Sequence, residues 1–299
     1  MAGRFAPTPT SDLHLGNLRT ALLAWLMARS TERRFIVRIE DLDQARVKAA
    51  PGVAQRQLDD LASLGIDWDG EVLWQSKRFD LYQQYAAGLD TYECFCSRAE
   101  IAAASQAPHG DYRPYPGTCG NLTKAQRAAR RAEGRAPAIR VRAGGTFTVH
   151  DEHAGDVTGI VDDFVLIRGD GTPAYNLAVV VDDGLQGVDQ VVRGADLLTS
   201  APRQAWLATQ LGFPVPRYAH VGLAVNAAGN RLAKRDGAVT LRALNAKGWT
   251  PGDVLDLITE SLGWPQATDA AALLGVARGA NLLDTPAVWE PWVVTETAG

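Results

Sequence analysis

Three cysteines in 299 residues are too few, and odd in number, for a disulfide framework, so the fold has to rest on its apolar core. No apolar run approaches the ~18 residues that suggest a spanning helix, and no signal-peptide pattern opens the chain. Met1 is followed almost at once by a candidate core strand, so a soluble cytoplasmic protein without membrane contact is expected. Excess positive charge is missing as well. The formal net charge is −4, which argues against a general, sequence-indifferent grip on nucleic acid. Neither repeats nor low-complexity segments occur apart from short alanine runs. What remains is a chain 46% hydrophobic, ordinary for a full core, and long enough for one large domain or two to three small ones.

The stretch that organises this chain is residues 3–29, GRFAPTPTSDLHLGNLRTALLAWLMAR. A short apolar segment (4–6) enters a turn punctuated by Pro7 and Pro9, and His14-Leu15-Gly16-Asn17 then opens a helical pattern. Leu15, Leu18, Leu22, Trp25, Leu26 and Arg29 fall at spacings of three and four, which predicts a helix with a buried face and an outer one. Ser11 or Asp12 is placed to cap its first turn. A strand, a tight turn and an exposed helix N-terminus make an anion site, because first-turn N–H groups are unpaired and the helix dipole favours negative charge there. Gly16 would let a flat ligand approach the backbone, and His14 adds a donor. A capped helix with a solvated histidine would carry the same residues.

Residues 34–40, RFIVRIE, alternate and are rich in β-branched side chains, so they predict a second strand and, with the helix, a βαβ unit. Glu40, Asp41 and Asp43 follow that strand's end, where ligands gather in doubly wound sheets. Such acids could hold an ammonium or cap the next helix. Residues 51–64 predict a helix ending at Gly65, and residues 138–149 and 159–167 predict strands. Between positions 124 and 142 stand Lys124, Arg127, Arg130, Arg131, Arg135, Arg140 and Arg142 against Glu133 alone. A local basic patch on an acidic chain suits a phosphate-bearing partner, although a solvated basic helix looks the same. Cys94-Phe95-Cys96 with Cys119 further on is metal-site spacing, since two thiolates one residue apart can share a tetrahedral ion. Tyr115 and His109 both lie in the right loop for a fourth ligand, and His is the commoner zinc ligand type. Three buried thiols without metal are the plain alternative.

His14-Leu15-Gly16-Asn17 resembles the HIGH signature of class I aminoacyl-tRNA synthetases, and RFAPTPT with LHLGNLRTAL is similar to the glutamyl branch. Asn17 stands where the signature has its second His. Downstream, Arg231-Leu232-Ala233-Lys234-Arg235 resembles KMSKS, with Arg231, Ala233 and Arg235 as departures. The resemblance implies an α/β fold: a Rossmann-type parallel-sheet catalytic core with an inserted zinc-binding subdomain and a short helical C-terminal region. The expected division is core, first half, 1–92; insertion, 93–165; core, second half, with the KMSKS-like loop, 166–238; and helical region, 239–299. It further implies ATP with Mg2+ at His14, Gly16, Asn17, Arg231 and Lys234, of which His14 and Lys234 would be catalytic. Glutamate would meet Arg4, Ala6, Thr8, Glu40, Tyr175 and Arg193, with Glu40 answering its ammonium. Gln75, Ser76 and Arg78 would position and stabilise, and Asp41 and Asp43 would be structural.

Length separates the branches. An ordinary glutamyl enzyme continues into a helical anticodon-binding domain, whereas only residues 235–299 follow Lys234 here. That resembles the short glutamyl-queuosine branch, which activates L-glutamate without tRNA and attaches it to queuosine in the anticodon loop of tRNA(Asp). This branch uses a tyrosine matching Tyr115 as a Zn2+ ligand, so Cys94, Cys96, Tyr115 and Cys119 are the expected set, with His109 in reserve. A truncated enzyme charging the 3′ end of tRNA(Glu) is the alternative, favoured by Asn17 and Arg19-Thr20. A non-catalytic tRNA-binding paralogue predicts decay at Arg4, His14, Glu40 and Lys234, and all four are intact. A small-molecule ligase would place metal ligands in the amino-acid pocket instead. A monomer is expected.

Overall fold

Helix Leu15–Ser30 is the centre of the molecule, and almost its whole circumference is buried. The expected outer face is covered because the sheet packs on one side and the C-terminal helices Pro251–Ser261 and Ala270–Gly279 pack on the other. Each fully buried leucine there, such as Leu18, Leu22 or Leu26, contributes about 1.5–3 kcal/mol. The computed structural model describes residues 1–97, 99–101, 114–230, 232, 239–279 and 285–294. Among these, no helix is long and apolar enough to cross a membrane.

Strands β1 (Ala2–Phe5) and β2 (Arg34–Ile39) flank that helix in sequence and pair in parallel, as the βαβ pattern requires. β3 (Leu73–Trp74) continues the sheet beside β2. β4 (Thr91–Cys94), β5 (Ala138–Val141) and β8 (Val165–Ile167) form a separate antiparallel sheet of order β4-β5-β8. The hairpin β6 (Thr146–Asp151) and β7 (Gly155–Ile160) instead joins the main sheet. Strands β9 (Val188–Gly194) and β10 (Arg217–Val221) complete it, giving the order β3-β2-β1-β9-β10-β6-β7. All neighbours are parallel except the β6–β7 pair.

The single strands expected over 138–149 and 159–167 are therefore each two strands in different sheets. The first breaks at a turn where Gly145 takes φ +85°, a conformation that a β-branched residue would resist. The second breaks where Asp163 leaves the ladder to accept hydrogen bonds from Tyr92 and the Ala143 N–H. β1 is followed in sequence by a neighbour on one side and paired with β9 on the other. The strand order reverses there, so a crevice opens outside the C-terminal ends of β1 and β9. Finally, β11 (Ala224–Val225) and β12 (Trp292–Val293) pair in parallel, fastening the C-terminal segment to one edge of that crevice.

Candidate active site

His14, rather than Ser11 or Asp12, is the N-cap of the first helix. Its Nδ1 accepts the Asn17 N–H at 3.3 Å, while the Asn17 Oδ1 accepts the His14 N–H at 3.2 Å. This reciprocal box fixes the ring, and an accepting Nδ1 puts the proton of the neutral imidazole on Nε2. Asn17 thus has a local task that its short carboxamide performs well. Asp12 is drawn away by Arg56 at 2.7 Å. Gly16 is required first by the protein itself, since a Cβ there would stand 2.7 Å from the Ala224 Cβ of β11. The Leu15 N–H reaches the Val239 carbonyl at 3.0 Å and the Leu232 N–H reaches Ala224 at 3.2 Å. Both described residues flanking 233–238 are therefore tied to this end of the molecule. Arg231 and Lys234 lie outside the described residues.

A cleft of about 510 Å³ occupies the crevice and is lined by Arg4, Ala6, Thr8, His14, Gly16, Asn17, Glu40, Tyr175 and Arg193. Every described residue expected to meet ATP or glutamate thus shares one cavity. Arg4 comes from the end of β1, Arg193 from the end of β9, and Glu40 follows β2. Tyr175 begins helix Tyr175–Gln186, and burial pushes its phenol up, so it remains a neutral hydroxyl. Asp41 is turned away, accepting the Ser76 N–H at 2.8 Å and its hydroxyl at 2.6 Å. Asp43 caps helix Gln44–Lys48.

The cleft's charges are held by a buried network that the sequence did not announce. Arg4 Nε donates to Asp183 at 3.4 Å. Arg38, fully buried, donates to Asp183 at 2.8 Å and to Glu40 at 3.3 Å, and lies 3.7 Å from Asp182. Asp182 also accepts Gln75 at 3.0 Å, Arg78 at 2.9 Å and the Tyr82 hydroxyl at 2.7 Å. Burial raises the Glu40 carboxyl above its ordinary range against the pull of Arg38 and Arg4. Burial works the same way on Asp183, but there Arg38 and Arg4 win and hold it below. On the opposite wall, Arg193 donates from Nε to His220 Nε2 at 3.0 Å, from Nη1 to Gln204 at 2.7 Å and from Nη2 to the Leu197 carbonyl at 3.2 Å. His220 Nδ1 sits 2.7 Å from Asp151, and burial pushes the imidazole down. The sequence carried only two local traces of these partners: Arg38 in the part of its strand that is otherwise apolar after Arg34, and Asp182-Asp183 at the end of the apolar run Leu177–Val181.

The three sulfurs of Cys94, Cys96 and Cys119 all lie within 4.8 Å of one another. The Tyr115 hydroxyl joins them, 3.3 Å from Cys94 Sγ and 3.6 Å from Cys96 Sγ. Cys96 and Cys119 are 3.5 Å apart, near the roughly 3.8 Å separation that a tetrahedral ion with Zn–S of ~2.3 Å imposes. The guanidinium of Arg140 lies 3.7 Å over the Tyr115 ring, a cation–π contact that holds the ring beside the sulfurs. Three soft donors and one phenol oxygen in a buried knot fit zinc. His109 lies outside the described residues. The basic stretch, by contrast, is answered in part by acids from elsewhere: Arg131 by Glu93, Arg135 by Glu100 and Arg142 by Asp90. Its net field is weaker than the local sequence suggests.

Comparison with known proteins gives the family of the chain. Residues 1–276 match the family model of class I tRNA synthetases (E and Q), catalytic domain, and the chain belongs to that family. It is 56% identical over 301 residues to the glutamyl-Q tRNA(Asp) synthetase of Nocardia farcinica, covering 99% of this chain and 93% of that protein. A protein of the same name from Cutibacterium acnes is 60% identical over 275 residues, covering 91% and 79%. Glutamate–tRNA ligase 2 of Alkalilimnicola ehrlichii is 40% identical over 274 residues but is covered to only 57% of its length. Among solved structures, a glutamate tRNA ligase from Elizabethkingia meningosepticum in complex with its amino acid shares the fold, with TM-score 0.79, 23% identity, and coverage of 98% of this chain and 67% of that one. As a class I synthetase the chain is a ligase that uses ATP with Mg2+.

Proposed function

We propose that this ligase activates L-glutamate with ATP, without tRNA, and transfers the glutamyl group to queuosine in the anticodon loop of tRNA(Asp). The observation that carries the reading is the match, over nearly the whole of both chains, to relatives bearing that name. In the first step an α-carboxylate oxygen attacks the α-phosphorus in line, the bond to pyrophosphate breaks, and glutamyl-adenylate forms. The protein has only to position two anions and neutralise developing charge. His14 and the first-turn N–H groups, with Gly16 and Asn17, would hold the phosphates, and Mg2+ would accompany them. Arg231 and Lys234 would cover the departing pyrophosphate.

Arg4 and Arg193 would meet the side-chain carboxylate from two sides, with Tyr175 adding a hydroxyl and Ala6 and Thr8 lining the pocket. A glutamine amide leaves those guanidinium charges unanswered, which supports selectivity for glutamate. Glu40, kept near Arg38, would answer the ammonium. In the second step a hydroxyl of the queuosine diol attacks the adenylate carbonyl, AMP leaves, and the hydroxyl proton is lost. Residues 1–92 and 166–238 would form the two halves of the core, 239–299 the helical region. A zinc ion on Cys94, Cys96, Tyr115 and Cys119 would hold the segment 93–165 together without entering the chemistry.

The test is transfer of labelled glutamate to three RNAs: tRNA(Asp) with queuosine, tRNA(Asp) without it, and tRNA(Glu). Labelling of the queuosine form alone is expected. Labelling of tRNA(Glu) alone would make the chain a short synthetase for that tRNA and overturn the reading.

A further inference from the structure

Arg193, His220 and Asp151 come from three neighbouring strands. Arg193 of β9 and His220 of β10 are partners in the parallel register, and Asp151 of β6 is the register partner of Tyr218, two residues before His220. The result is a buried row that runs from the hairpin β6–β7 to the cleft wall: carboxylate, imidazole, guanidinium. All three residues are less than a tenth exposed. Hydrogen-bond chemistry determines the proton positions along it. An arginine Nε–H can only donate, so His220 Nε2 must be the bare nitrogen, and Nδ1 must carry the proton that Asp151 accepts. Asp151 is itself anchored by the N–H groups of His153, Ala154 and His220.

We infer that His220 and Asp151 are positioning residues for Arg193, fixing the tautomer and the guanidinium plane on which recognition of the glutamate side-chain carboxylate depends. The inference rests on the proposed role of Arg193 and deepens it. Bonds to His220, Gln204 and Leu197 clamp all three guanidinium nitrogens and leave one N–H on each Nη for a ligand. Gln204 is in turn held by Asn176 at 3.0 Å, so the clamp is rigid from both sides. A free arginine side chain would have to be ordered on binding, a cost that this pre-arranged fork avoids.

Asp151→Asn is the sharpest probe, because it keeps the shape and, on Oδ1, the acceptor for the His153 and Ala154 N–H groups, while the amide that replaces Oδ2 can offer an N–H to His220 Nδ1. The imidazole proton then moves to Nε2, where it confronts the Arg193 Nε–H and breaks the bond. Glutamate-dependent pyrophosphate exchange should show the Michaelis constant for glutamate rising at least about tenfold, with that for ATP within about twofold. On an Arg193→Ala background the same change should add nothing, because its route of action is gone. Independently of activity, 15N NMR of the native protein should find His220 as the Nδ1–H tautomer. An unchanged glutamate constant in an Asp151→Asn enzyme that folds, or an Nε2–H tautomer in the native protein, overturns the inference while leaving the function intact. A native protein that exchanges no pyrophosphate with glutamate overturns the function, and the inference with it.

Discussion

The cleft and the cysteine knot are both polar, partly or wholly buried constellations, yet they are built at opposite ranges. In the knot, the contacts of Cys94 and Cys96 with Tyr115 and of Cys96 with Cys119 span 21, 19 and 23 residues. In the cleft, Arg4 reaches Asp183 across 179 residues, Arg38 reaches it across 145, and His220 reaches Asp151 across 69. A local knot can be loosened without disturbing the sheet. The cleft has no such independence, because the residues that aim its charges are also the polar core between the sheet and helix Tyr175–Gln186. Changing its wiring changes the fold.

The largest test of that contrast is Asp182→Ala. The substitution strips one carboxylate from Gln75, Arg78, Tyr82 and Arg38 and leaves buried donors unanswered. Breaking a buried pair in this way costs about 3–5 kcal/mol, so the urea midpoint should fall steeply for the whole chain. A loss below about 1 kcal/mol would show that the network is not part of the core's stability. Next comes Cys94→Ala. It should abolish binding of about one zinc per chain and increase proteolysis between residues 94 and 145, ahead of the hairpin that joins the main sheet, while glutamate-dependent pyrophosphate exchange persists. If the sheet unfolds together with the knot, the two regions are one cooperative unit and the contrast fails.

Acid titration reaches the cleft from another side. Asp183 and Asp151 are both held below the ordinary value of 3.8, so their contribution is complete above that value and is lost as pH falls through their folded values. His220 is pushed down from 6.5, so the unfolded chain takes its proton first and stability begins to fall below that pH. Glu40 runs the other way, since its raised value means that ionisation above 4.5 weakens the fold. The net expectation is a urea midpoint that declines from about pH 6.5 downward and more steeply below about pH 4. Asp183→Asn should flatten the acid limb. An unchanged limb would place acid sensitivity elsewhere.

The same contrast in range explains what the sequence made legible. The cysteines could be read because the spacing of the ligands is itself the signal. Arg4, Glu40, Tyr175 and Arg193 could be read because each stands in a motif next to the end of its strand or the start of its helix. Arg38 and Asp182 left only a local trace, a charge beside apolar residues, and His220 left none, because their partners are set by which strands and helices become neighbours. The pairing of β6 with β10 is the clearest case: nothing in residues 146–151 declares that they leave the small sheet and bring Asp151 to His220. The misplaced helix cap is a smaller instance. Serine and aspartate are the usual caps, but the reciprocal bonds of His14 and Asn17 outcompete them, and Arg56 claims Asp12.

That cap supports the smallest prediction and the finest cut. Asn17→Ala removes the acceptor of the His14 N–H but leaves Asn17's own backbone donor to His14 Nδ1, so half of the box survives. Cap losses cost about 0.5–2 kcal/mol, and a half-loss should fall at the lower end, well short of the Asp182→Ala effect. The imidazole would keep its acceptor role but lose one of the two bonds that hold the turn. Adenylate formation should therefore weaken through the ATP Michaelis constant, with the glutamate constant unmoved. If the glutamate constant rises instead, the phosphate end and the amino-acid end of the cleft are not separately wired, and the local turn at His14 belongs with the long-range network rather than with motifs like the knot.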